Sequence, residues 1–203
     1  MNGQRELTYG TQDVPEYVRD ILTAGVSRLF LPVGFVEEGE LLSGHFRTEG
    51  YRKLSSVGEI GTEDIFAVIL GILRGVWQAE RLYLFSEMYE IRPDCIYVDQ
   101  GYSDVRLVFI PAGRDSLPGS LASGKPETVS EAGTGGAARS SEGPLPLTEK
   151  LVLLLEYLRK RGSREGWSYI DSAVGFLRED WGYKALVHRL EELRREIYLC
   201  SVK

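Results

Sequence analysis

Cysteine, histidine and methionine each occur only twice in the 203 residues, and tryptophan three times. Cys95 sits inside an apolar run and Cys200 near the end of the chain, with only His45 and His188 to join them, so the close ligand spacing of a structural zinc site is missing. Positive charge is also short. Lysine and arginine number 24 against 30 acidic residues, a net charge of −6, which disfavours tracking a nucleic-acid backbone, because such binding replaces condensed counterions with cationic side chains. Long apolar stretches are lacking as well. The longest, residues 65–73, is stopped by Arg74 and falls well short of the roughly 20 residues that cross a bilayer. Residues 1–6 are polar and contain no apolar segment of the secretory type, so a cytoplasmic chain without a membrane span is expected. No G-x-S-x-G elbow occurs and neither histidine lies in a motif, which removes the sequence basis for a Ser-His-Asp triad.

What is present is a domain-sized apolar complement: 43% of residues are hydrophobic and 10% aromatic, enough for one core. Composition breaks at residues 112–146, where Gly, Ser, Pro, Ala and Thr crowd together and aromatics vanish. That stretch reads as a disordered low-complexity insert in a single domain made of residues 1–111 and 147–203. Within it, Gly133, Gly135 and Ala138 imitate a dinucleotide fingerprint, but the strand before and helix after that the motif requires are missing, so they read as linker residues.

Periodicity predicts a helix over 15–24, with Asp13 as N-cap and Gly25 as its stop. A hairpin follows over 28–36 and 40–47, turning at Glu37, Glu38 and Gly39. The strongest helix starts with Thr62 as N-cap. Phe66, Leu70, Leu73 and Trp77 form one inward stripe and Ile65, Ile69, Ile72 and Val76 another, so it is read as buried on most sides. Gly71 and Gly75 on it predict that another backbone packs close there. A second hairpin is expected from 95–98 and 105–110 around the turn 99–104. Three helices complete the chain: 148–161 stopped by Gly162, one opened by a capping box at Ser168 and Asp171, and 183–197 with Leu186, Leu190, Leu193 and Ile197 on one face. The fold class is α+β.

The order of a long buried helix, an irregular segment, a short hairpin and then helices resembles the middle of a protein-kinase C-lobe. Arg92-Pro-Asp-Cys-Ile-Tyr-Val-Asp99 is similar to the kinase catalytic-loop tail K-P-E-N-I-L-L-D, and residues 104–110 to the strand that leads into D-F-G. On that resemblance Glu90 takes the place of the catalytic Asp, Arg92 opens the tail, Cys95 replaces the magnesium-binding Asn, and Phe109 stands where the D-F-G Asp belongs. Neither Cys95 nor Phe109 offers magnesium an oxygen, and residues 1–60 contain no Gly-rich phosphate loop, so phosphoryl transfer is not expected. Outside the insert, the chain also resembles the N-terminal domain of forkhead-associated (FHA) domain proteins of Gram-positive bacteria. That rests on Tyr17-Val-Arg-Asp-Ile-Leu22, the turn at Glu37 to Gly39, and the path from Leu73 and Trp77 to Pro93-Asp-Cys-Ile-Tyr-Val-Asp99. The family is in turn similar to the pseudokinase-like cytosolic domain of the type VII secretion subunit EssB/YukC.

The resemblance implies a reduced, kinase-C-lobe-like domain with an N-terminal hairpin, a buried central helix, a second hairpin and C-terminal helices. It implies no catalytic, cofactor or metal residues, and a non-catalytic interaction or scaffold role in bacterial signalling or type VII secretion, with other proteins as partners and the oligomeric state open. Two alternatives stand beside it. One is a small-molecule enzyme using Glu90 and Asp94 in a cleft between the long helix and the second hairpin; the other is a subunit of an obligate oligomer. Asp99 and Asp104, the other acids of that region, read as turn residues. Candidate partner contacts are the basic run Arg159, Lys160 and Arg161, whose charges also suit a helix C-terminus, together with Trp167 and Trp181 as anchors.

Overall fold

A computed structural model describes residues 3–112, 145–179 and 181–201. The glycine cluster at 133–138 and nearly all of the expected insert lie outside them. The described chain is α+β, with six strands in two antiparallel three-stranded sheets and five α-helices.

The first sheet has the order β1 (Gln4–Gly10), β3 (Leu41–Arg47), β2 (Val33–Glu38). Sequence periodicity gave no hint of β1, because its inward row of Arg5, Leu7 and Tyr9 is only partly apolar while Gln4, Glu6 and Thr8 are exposed. In the β2–β3 pairing Glu38 faces Leu41, so the turn is the two residues Gly39 and Glu40 rather than residues 37–39. Gly39 has φ 63, the left-handed conformation that a tight hairpin needs and that glycine adopts without steric penalty. The expected start of this hairpin at Arg28 is also corrected. Residues 29–31 cross to the second sheet, where the Leu31 N–H donates to the Leu107 carbonyl (2.9 Å) and the Leu107 N–H to the Leu29 carbonyl (2.7 Å).

The second sheet is β4 (Arg52–Lys53), β5 (Ile96–Val98) and β6 (Val105–Leu107). Against it lies α2 (Thr62–Glu80), whose aliphatic residues from Ile65 to Val76 are buried. The two helix glycines do mark close packing, but against side chains. A Cβ at Gly71 would stand 2.9 Å from Val105 Cγ2, and one at Gly75 2.7 Å from Leu29 Cδ1. Trp77 departs from its expected inward stripe. It is partly exposed and stacks on Tyr183 with centroids 5.3 Å apart and rings nearly parallel. Beyond α2 the Leu84 N–H reaches the Ala79 carbonyl and the Tyr83 N–H the Glu80 carbonyl, a Schellman ending with Tyr83 at φ 61 in the glycine position.

Two expected caps are corrected. Helix α1 (Glu16–Ala24) is capped by Pro15, while Asp13 accepts the Gly10 N–H at 2.8 Å and closes the preceding turn. Thr62 is the first helical residue of α2, after Gly61. Among the last helices, α3 (Leu147–Arg159), α4 (Trp167–Arg178) and α5 (Tyr183–Ser201), the Ser168 and Asp171 capping box does not form. Ser168 lies already inside α4, and Asp171 pairs with Arg159 at 2.9 Å. Gly166, the residue before α4, packs so tightly on Thr62 that a Cβ there would overlap it.

Candidate interaction groove

The segment after α2 is pinned from both sides. The Glu90 N–H donates to the Ile110 carbonyl (2.8 Å), the Ala112 N–H to Met88 (3.0 Å) and the Ser55 N–H to Pro93 (3.0 Å). From beneath, the Lys150 ammonium on α3 donates to the Ser86 and Tyr89 carbonyls, each at 2.7 Å. Only 4% of Lys150 is exposed, and this burial pushes its pKa below the usual lysine value, with Glu90 and Glu87 pulling the other way. Both carbonyls depend on that side chain, because a buried acceptor without a donor is costly.

So held, residues 90–94 form one wall of a groove of about 1100 Å³. The opposite wall is β1, from Arg5 to Thr8. The floor is α3, through Lys150, Leu153, Leu154 and Tyr157. Leu153 is 54% exposed, an apolar side chain presented to the cavity. Glu90 and Asp94 do share this groove, but its place differs from the expected cleft: α2 and the β5–β6 hairpin are packed together at Gly71, and the space lies between β1 and α3. Arg92 Nε stands 3.5 Å from Asp94 Oδ1. Arg5 ties the two walls, its guanidinium donating to the Asp94 carbonyl (2.7 Å) and the Tyr97 hydroxyl (3.2 Å).

The other kinase-like positions face away from the groove. Cys95 is fully buried, and burial first, then the Asp94 charge, pushes its thiol up to about 11. Phe109 packs its ring against Phe30 and Tyr89 (centroids 5.6 and 6.2 Å), and its carbonyl accepts the Tyr9 hydroxyl at 2.8 Å. Asp99 and Asp104 act within the β5–β6 turn. Burial works against ionisation of Asp99, but the Asp104 N–H and the Ser103 hydroxyl outweigh it and hold its carboxyl below the usual value. Asp104 accepts Arg106 and the Tyr51 hydroxyl.

The basic run is largely engaged in packing. Arg159 lies over the Trp167 ring (4.7 Å) besides pairing with Asp171. Arg161 covers Tyr157 (4.0 Å) and donates to the Val57 carbonyl. Lys160 is exposed. Trp167 is half-buried, whereas Trp181 is 43% exposed, donates to Glu179 and meets Phe176 edge-on. None of these five residues lines the groove, and neither do His45 and His188.

Sequence reasoning missed the β1 wall and Lys150. The second had a readable signal. Lys150 falls on the inward stripe of α3, one turn before Leu154 and beside Leu151, where an ammonium needs partners inside the fold. No protein-family model and no curated protein sequence matches this chain.

Proposed function

We propose that this chain is a non-catalytic, pseudokinase-like protein-interaction domain that offers the groove between β1 and α3 to another protein. The observation that carries this reading is the orientation of residues 90–109. The wall Glu90 to Asp94 faces an open apolar-floored groove, while Cys95 and Phe109, which take the metal-binding places on the kinase resemblance, are sealed in the core. With those two places lacking an oxygen ligand and turned away from the groove, the groove is suited to binding rather than to phosphoryl transfer. The element order α2, pinned segment, β5–β6 hairpin and helices supports the kinase-C-lobe-like description. The resemblance to FHA-associated and type VII secretion domains supports a partner in bacterial signalling or secretion.

Thermal unfolding of the full chain with ATP and magnesium tests the reading. No metal-dependent rise in Tm and no labelled phosphate on an acceptor protein are expected. Strong magnesium-dependent stabilisation together with phosphate transfer would overturn it.

A further inference from the structure

Resting on that reading, we infer that the groove receives an extended segment of another protein with alternating apolar and basic side chains, added as a fourth strand to the outer edge of β1, which pairs with no strand among the described residues. The phase of the β1–β3 ladder carries the argument. The Thr48 N–H donates to the Gly3 carbonyl and the Thr11 N–H to the Glu40 carbonyl, so the odd-numbered residues of β1 bond to β3. In an antiparallel pair the alternate residues turn their main-chain groups the other way, which sends the N–H and C=O of Gln4, Glu6 and Thr8 outward. The Gly10 N–H follows the same rule and is taken by Asp13, which ends the available edge.

Glu6 and Thr8 both line the groove, and no strand pairs with this outward side of β1 among the described residues. A strand laid on this edge gains main-chain hydrogen bonds along about 17 Å, the length of five residues. Its pleat fixes the side chains. One row falls on the apolar floor at Leu153 and Tyr157, which selects apolar residues. The other row lies beside exposed Glu6, which selects Lys or Arg as its cross-strand neighbour, while the groove's own cations Arg5, Arg92 and Lys150 are held by Asp94, Ser86 and Tyr89. A helix in the groove would satisfy its own backbone and leave the edge groups of Glu6 and Thr8 unmatched.

The test is a selection of random twelve-residue peptides displayed against the full chain, followed by amide hydrogen exchange of the complex. Enriched peptides are expected to alternate apolar and basic residues and to slow exchange at the Glu6 and Thr8 amides. Thr8→Pro deletes one outward donor without touching the β1–β3 ladder and should weaken binding about tenfold, the effect of one lost hydrogen bond. Glu37→Pro makes the same backbone change on the far edge of the sheet and should leave binding unchanged. Enriched peptides that bind as helices, that leave those two amides unprotected, or that bind Thr8→Pro as well as the parent would overturn strand addition. So would a selection that enriches nothing. None of these outcomes touches the non-catalytic reading, which stands or falls on phosphate transfer.

Discussion

The two sheets are equal in strand number, and the edge strands β6 of one and β1 of the other differ in what lies beside them. In the second, β5 and β6 are almost wholly buried, and residues 29–31 close the outer edge of β6 with two hydrogen bonds through Leu107. In the first, exposed and covered residues alternate along β1, and its outer edge opens onto a cavity. An unpaired edge invites pairing with another chain, and folds that must avoid this cover the edge or shorten the strand. The β6 edge is thus sealed inside the fold, while the β1 edge lies at the groove.

The sharpest way to break that contrast is to place proline on each edge. Leu107→Pro removes the donor to Leu29 and a fully buried side chain, and should cost about 4 kcal/mol or more; the check is loss of a cooperative unfolding transition. Next comes Cys95, which precedes β5. Unfolded, its thiol titrates near the usual value of 9.0, whereas folded it is pushed up to about 11, so the native state keeps the proton longer. Stability from this source is complete below the unfolded value and falls as pH rises towards 11, by about 2–3 kcal/mol. Denaturant titrations of Cys95→Val between pH 8 and 11 should show a shallower decline than the parent. Gly71→Ala pushes a methyl group against Val105 of β6 and should lower stability by about 1–3 kcal/mol. Smallest is Thr8→Pro on the open edge, which should change stability by less than about 1 kcal/mol. A large loss there would mean that the β1 edge is structural, and the contrast between the sheets would disappear.

The helices were the legible part of this fold. The stripes of α2, α3 and α5 repeat at helical spacing over three turns or more, and local burial alone dictates them. Features decided by distant contacts were not legible. Residues 28–32 look like the beginning of a strand in their own hairpin, yet their partner is Leu107, far along the chain. Asp13 and Ser168 have the side chains of caps, but Asp13 closes the preceding turn and Ser168 already lies inside α4. Trp77 fits an inward stripe by spacing and is drawn outward by Tyr183. For the groove, the wall acids Glu90 and Asp94 could be named from their neighbourhood, but its position could not. That position depends on β1, a strand too polar for its alternation to stand out, and on α3, which follows after residue 144.

Lys150 also has a bearing on the order of events during synthesis. It is added 38 residues after Ala112, and at roughly 5–20 residues per second a growing chain waits about 2–8 seconds between the two. In that interval α2, both hairpins and β1 can already assemble, while the Ser86 and Tyr89 carbonyls lack the donor that anchors them. Until Lys150 is added, the wall of residues 90–94 lacks the anchor it has in the folded protein, so completion of the groove waits on the last third of the chain.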